Sequence, residues 1–124
     1  MPHLVQVNAT GNTVKSWELG DQPLVIGRGD DVQIKVDDLE MSRRHCEILC
    51  SNGRHSVRDN NSTNGTFVNG RQVTTASLKA NDQIKVGQTT FLYHVGTSTF
   101  LGIIEKATGK GFGTQLKDIY KEVE

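Results

Sequence analysis

What this 124-residue chain lacks narrows its function before any motif is read. It has no charge surplus: 14 lysines and arginines stand against 14 aspartates and glutamates, for a net charge of about zero. Binding to nucleic acid or to a membrane surface through bulk electrostatics calls for a basic face or tail, so neither partner is expected. Only a small local basic cluster remains available. No apolar run approaches the roughly 18 residues of a membrane span. The start, Met1-Pro2-His3-Leu4, lacks the charged and apolar regions of a signal peptide, and a cytoplasmic protein is expected. Cysteine is scarce too. Cys46 and Cys50 lie four apart in one expected strand, about 13 Å between Cα atoms, whereas a disulfide needs less than about 7 Å. With no C-x-x-C or H-x-x-x-H spacing and with His3, His45, His55 and His94 scattered, no metal site is expected. Small buried thiols are the expected state of both cysteines.

Any long helical pattern is also missing from the first 96 residues. Short alternating segments fill them instead. His3 to Ala9 places Val5 and Val7 on one face, and Val14 to Leu19 places Trp17 and Leu19 on one. Leu24-Val25-Ile26 is a continuous apolar run, as in a strand buried on both sides. Val32, Ile34 and Val36 alternate with polar residues; Cys46, Ile48 and Cys50 form a period-two row. The segment His55 to Asp59, the pair Phe67-Val68, Val73, the pair Ile84 and Val86, and the row Phe91, Tyr93, Val95 follow. Asn and Gly dominate the connections, and Asn52-Gly53 and Asn69-Gly70 read as two-residue hairpin turns. Many short strands at this spacing predict an all-β antiparallel sandwich or barrel.

Residues 97–124 read as a separate extension. Three glycines in five positions, Gly109 to Gly113, precede Leu116, Ile119, Tyr120 and Val123 at i, i+3, i+4 and i+7. That spacing predicts a short amphipathic helix capped by Thr114. Such a short helix needs a docking surface, which is this same domain, a second copy in a homodimer, or a following domain. Gly109-Lys110-Gly111 lacks the spacing of a phosphate-binding loop, so no nucleotide cofactor, and no other cofactor, is expected.

The most informative stretch runs from Asp59 to Gly70. Asn60 to Thr63 carry more polarity than a chain reversal needs, and Ser62, Thr63 and Asn64 offer two hydroxyls and an amide side by side. Two more polar clusters sit at strand ends upstream: Gly27-Arg28 after the run Leu24 to Ile26, and Ser42-Arg43-Arg44-His45 before the strand of Cys46. In a sandwich, loops at one end converge on a common surface. Ser42 and His45, three apart at a loop-strand junction, have no third orienting group and do not read as a nucleophile and base. No catalysis is expected.

Gly27-Arg28, Ser42-x-x-His45 and Ser62-Thr63-Asn64-Gly65-Thr66 followed by Val68-Asn69-Gly70 resemble, in this order and spacing, the forkhead-associated (FHA) domain. Asp82 and Val86-Gly87 extend the match to roughly residues 4 to 95. The resemblance implies an eleven-stranded FHA/SMAD-like β-sandwich over residues 1–96 that binds phosphothreonine peptides through loops at one end. It implies that Arg28 and Ser42 hold phosphate oxygens, that Arg43 reaches the phosphate or the peptide backbone, that Thr63 helps hold the phosphate, and that Asn64 bonds the peptide main chain. Gly27, His45 and Gly65 would shape the loops. The implied partner is a phosphothreonine-bearing protein in kinase signalling; a phosphate-independent scaffold or oligomerisation module of the same fold is the alternative. The acidic residues Asp37, Asp38 and Glu40 lead to the further expectation of a peptide site that disfavours acidic neighbours on the C-terminal side of the phosphothreonine.

Overall fold

A computed structural model describes residues 2–96. The extension, with its expected helix at Leu116, Ile119, Tyr120 and Val123, lies outside the described residues. In chain order the strands are β1 (His3–Val7), β2 (Thr13–Glu18), β3 (Leu24–Gly27), β4 (Ile34–Lys35), β5 (Cys46–Ser51), β6 (Arg54–Asp59), β7 (Thr66–Val68), β8 (Arg71–Val73), β9 (Thr75–Ser77), β10 (Gln83–Val86) and β11 (Thr89–His94). They form two sheets, a six-stranded one in the order β2-β1-β11-β10-β7-β8 and a five-stranded one in the order β4-β3-β5-β6-β9.

Local chemistry sets much of this. The Asn-Gly pairs put both central residues at positive φ, Asn52 at 53° and Gly53 at 75°, Asn69 at 52° and Gly70 at 83°. That is the twist a two-residue hairpin requires, and the registers Ser51↔Arg54 and Val68↔Arg71 follow from it. Alternation then decides which face is buried. Ile84 and Val86 of β10, Phe91 and Tyr93 of β11, Cys46 and Ile48 of β5, and Val57 of β6 point into one core between the sheets. Each large aliphatic buried there contributes about 1.5 to 3 kcal/mol, so the domain closes by packing. A polar bridge crosses the core: His55 of β6 lies 3.0 Å from the Tyr93 hydroxyl of β11 through Nδ1 and 3.1 Å from the Gly20 carbonyl through Nε2. The carbonyl only accepts, so Nε2 carries the proton and Nδ1 accepts from the tyrosine.

The structure differs from the pattern reading in four places. The core residue of β1 is Leu4, fully buried, while Val5 and Val7 are only half-buried on the other face. Leu4 lies opposite Trp17, whose ring in turn meets Phe91 at a centroid distance of 6.0 Å. One pair is parallel, β3 with β4 at Ile26↔Ile34, because the chain returns to the same sheet edge without a hairpin. The strand β9, Thr75-Ala76-Ser77, carries no large apolar residue and gives no periodic signal. Finally, the cysteines are unlike: Cys46 is fully buried and its thiol is pushed up to about 12 by burial, but Cys50 is half-buried and its Sγ lies 3.8 Å from Asp21 Oδ1.

Candidate functional site

Three loops meet at one end of the sandwich, following β3, preceding β5 and joining β6 to β7. The first two are laced by backbone. Arg28 N–H donates to the Ser42 carbonyl (3.2 Å) and Gly29 N–H to the Arg43 carbonyl (3.1 Å). This approach leaves no room for a side chain on Gly27, where an added Cβ would stand 1.9 Å from the Arg43 carbonyl oxygen. The Arg28 side chain is then aimed by its own Nε, which donates to the Met41 carbonyl at 2.7 Å and leaves the outer edge of the guanidinium facing outward.

His45 ties the second loop to the third. It is fully buried. Ser42 N–H donates to its Nδ1 at 3.0 Å, so the proton sits on Nε2, which donates to the Gly65 carbonyl at 2.8 Å. Gly65 itself is at φ 89°, where a Cβ would stand 2.7 Å from Gln72 Nε2. Thr63 N–H donates to Ser42 Oγ (3.2 Å), and Asn64 Nδ2 donates to the Glu40 carbonyl (2.7 Å).

All five residues singled out as contacts, Arg28, Ser42, Arg43, Thr63 and Asn64, line one depression of about 320 Å³. Its chemistry follows from what each group already does. Among the described residues neither Arg28 nor Arg43 makes an ion pair, whereas Arg44 is paired with Asp31 at 2.8 Å and Arg58 with Glu47 at 2.7 Å. Ser42 Oγ accepts from Thr63, so its own proton is available to donate. Asn64 keeps Oδ1 as an acceptor for a main-chain N–H. Two cations, two hydroxyls and an amide suit a dianion attached to a peptide. A larger neighbouring depression, about 600 Å³, shares Arg28 and Arg43 but its remaining charges are matched, Arg44 with Asp31 and Asp30 with Lys35 at 3.2 Å. The two arginines serve both, but the hydroxyls of Ser42 and Thr63 and the Asn64 amide line only the smaller one, together with the Glu40 carboxylate.

The supporting residues were not visible in the motif. Asp59 holds the third loop by accepting from Ser62 N–H (3.0 Å), the Ser62 hydroxyl (2.5 Å) and the Thr66 hydroxyl (2.7 Å). Ser62 Oγ also accepts from Gly65 N–H at 3.0 Å, so this hydroxyl braces the loop and does not face a ligand. Asp38, read from sequence as part of an acidic rim, is turned inward at 9% exposure and accepts from Glu40 N–H (3.0 Å), Gln88 N–H (2.7 Å) and Thr89 Oγ1 (2.8 Å). Of the three acidic residues only Glu40 lines the depression. No spacing rule links Asp38 to residues fifty positions away.

Both carboxylates titrate below the usual range. Burial acts to raise Asp59, but the Ser62 and Thr66 hydroxyls, Ser62 N–H and His45 outweigh it. At Asp38 burial likewise acts to raise, and the bonds from Thr89, Glu40 and Gln88 with His45 nearby outweigh it. A depressed folded pKa makes a contribution that is fully present above the unfolded value of about 3.9 and lost as pH falls through the lower folded value. Acid unfolding followed by tryptophan fluorescence is thus expected to begin below about pH 4. Asp38→Asn and Asp59→Asn should each flatten the profile there; an unchanged profile in both would mean that these bonds do not stabilise the loops.

Residues 24–87 match the family model of the FHA domain. The glycogen accumulation regulator GarA of Mycolicibacterium smegmatis is 38% identical over 87 residues, which are 69% of this chain and 55% of that protein. An ABC transporter ATP-binding/permease protein of Mycobacterium tuberculosis is 36% identical over 80 residues, 64% of this chain but 9% of the transporter. The chain thus spans about half or less of these relatives. Among solved structures, the FHA domain of FhaA complexed with the intracellular domain of Rv3910 superposes with a TM-score of 0.69 at 32% identity, covering 76% of this chain and 100% of that one. An FHA domain studied for phosphothreonine-dependent interactions superposes with a TM-score of 0.70 at 31% identity, covering 78% of this chain and 98% of that one.

Proposed function

The chain belongs to the FHA domain family, and on that premise we propose that residues 1–96 form a module that recruits a partner protein by binding a phosphothreonine on it. The observation that carries this reading is the gathering of Arg28, Ser42, Arg43, Thr63 and Asn64 around one depression, with neither arginine in an ion pair among the described residues. The Arg28 guanidinium and Ser42 hydroxyl hold two phosphate oxygens; Arg43 and Thr63 close on the phosphate from either side. Asn64 Oδ1 takes the main-chain N–H of a neighbouring residue. Phosphothreonine carries about −1.5 to −2 charge at pH 7, and each hydrogen bond to such a charge contributes roughly 1.5 to 3 kcal/mol. The module acts by binding and not by catalysis, in the cytoplasm, after a threonine kinase has acted.

Fluorescence anisotropy with degenerate phosphothreonine, phosphoserine and unmodified peptide pools tests this. Phosphothreonine is expected to bind best, ahead of phosphoserine by a few-fold or more, since a packed methyl group is worth about 0.8 kcal/mol, and the unmodified pool is expected to show no binding. Equal binding of the modified and unmodified pools would assign the fold to phosphate-independent scaffolding.

A further inference from the structure

Four histidines are spread along the chain. Two of them are used inside the sandwich: His45 and His55 are buried, and both ring nitrogens of each are engaged. The other two, which no sequence spacing connects, are brought together by strand pairing. His3, the first residue of β1, lies directly opposite His94, the last residue of β11. Alternation from Leu4 on one strand, and from Phe91 and Tyr93 on the other, turns both imidazoles to the outer face of the six-stranded sheet, where each is half-buried. Opposite side chains of such a pair stand about 5 Å apart at Cβ. Glu18 of β2 lies opposite His3 on its other side, so the row reads Glu18, His3, His94 across three strands. Burial above all, and then the neighbouring His3, holds His94 below its ordinary pKa, which is the electrostatic sign of two imidazoles side by side.

The backbone under the pair is fixed from both outer sides. Leu19 N–H donates to the Pro2 carbonyl at 2.9 Å, which ties down the start of β1. Tyr93 N–H donates to the Asp82 carbonyl at 2.9 Å and Asn81 N–H to the Tyr93 carbonyl at 2.8 Å, which ties down the end of β11. Two donors on a braced backbone lose little freedom on meeting a common ligand.

We propose that His3 and His94 together chelate one divalent transition-metal ion of the kind imidazole favours, Ni²⁺, Cu²⁺ or Zn²⁺. One nitrogen of each ring meets the ion at about 2 Å, and water completes the coordination. Among the described residues no three His, Cys, Asp or Glu side chains are placed to hold an ion together, so Glu18 contributes nearby negative charge and not a bond. The ion ties the first strand of the sandwich to the last. It lies at the end of the sheet away from the phosphate-facing loops, which lead into Thr66 in one row with Val86 and Thr89, so this inference stands apart from the phosphothreonine reading.

The test uses the full chain, stripped of metal with EDTA and dialysed. With saturating Ni²⁺ the wild type is expected to melt about 4 °C or more higher than without it, and Mg²⁺ to have no effect. His3→Gln and His94→Gln, changes on the outer face, should each remove most of that rise. Cys50→Ser should keep it, because that thiol lies on the other sheet beside Asp21. Electron paramagnetic resonance of the wild type with substoichiometric Cu²⁺ reads the ligands without requiring any variant to fold, and is expected to show two coordinated nitrogens. A rise of equal size in both histidine variants overturns the proposal by placing the ion elsewhere, and so does a rise lost only with Cys50→Ser. A single coordinated nitrogen in the wild type overturns the chelate. A wild type that neither gains stability from Ni²⁺ nor shows nitrogen coupling to Cu²⁺ removes the site altogether.

Discussion

Arg28→Ala is expected to weaken phosphothreonine peptide binding by about tenfold to more than a hundredfold, the loss of one or more charge-assisted hydrogen bonds. The fold should survive. The backbone bonds of residue 28, to the Ser42 carbonyl and from Lys35 Nζ, do not depend on its side chain. Only the Met41 carbonyl loses a donor, at a cost of about 1 kcal/mol. Anisotropy and a thermal melt on the same sample separate the two effects. Arg28→Lys should recover part of the affinity through charge but not all, because one ammonium group lacks the planar fork that here bonds Met41 on one edge and faces the ligand with the other. Wild-type affinity in Arg28→Ala would mean that the anion is held elsewhere.

Gly27→Ala should cost the most stability. Its new methyl group would lie 1.9 Å from the Arg43 carbonyl oxygen, 2.6 Å from the carbonyl carbon and 3.0 Å from the Ser42 carbonyl oxygen, all backbone atoms fixed by β3 and its lacing to the next loop. Forcing these strands of chain apart is expected to cost about 3 kcal/mol or more, the upper part of the range for overpacking. That corresponds to a fall of about 12 °C or more in Tm. Gly20→Ala is the internal control, since a Cβ there meets nothing within 4 Å and its φ is not positive. It should melt with the wild type. Urea unfolding of both variants decides the matter: a Gly27→Ala midpoint close to that of Gly20→Ala would show that the two loops are not laced as described. Because the displaced atoms belong to Ser42 and Arg43, the folded fraction of Gly27→Ala should also bind phosphopeptide poorly.

Strands with alternating large apolar residues, such as Ile84-x-Val86 and Phe91-x-Tyr93, were legible in sequence, and so were the two Asn-Gly hairpins, because the signal for each lies within a few residues. Thr75 to Ser77 was not legible, since its place in the sheet comes from pairing with Ser56 to Arg58 and not from its own side chains. The faces of β1 were ambiguous for a related reason: Leu4 and the pair Val5 and Val7 are both apolar, and only the opposing strand β2, with Trp17 across from Leu4, identifies the inner one. At the binding end, the residues bearing the motif are local and readable. The residues that hold them are not. Asp38 reaches Gln88 and Thr89 across the sandwich, and the Glu40 carbonyl reaches Asn64, so whether an acidic side chain points outward or inward is decided by partners far along the chain.

The His45 tie has a consequence for tempo. A rim whose loops are joined through Ser42 N–H, the imidazole and the Gly65 carbonyl is braced before any ligand arrives, so the proposed phosphopeptide would meet loops that need little rearrangement. On the proposed reading, arrival would be governed by diffusion and by Arg28 and Arg43, which make no ion pair among the described residues, and differences among ligands would fall on residence time. The depression is also small, about 320 Å³, and a phosphate held there as proposed would leave without the sandwich having to open. On the phosphothreonine reading proposed above, a site of this kind would report the current phosphorylation state of its partner and would not store a past one.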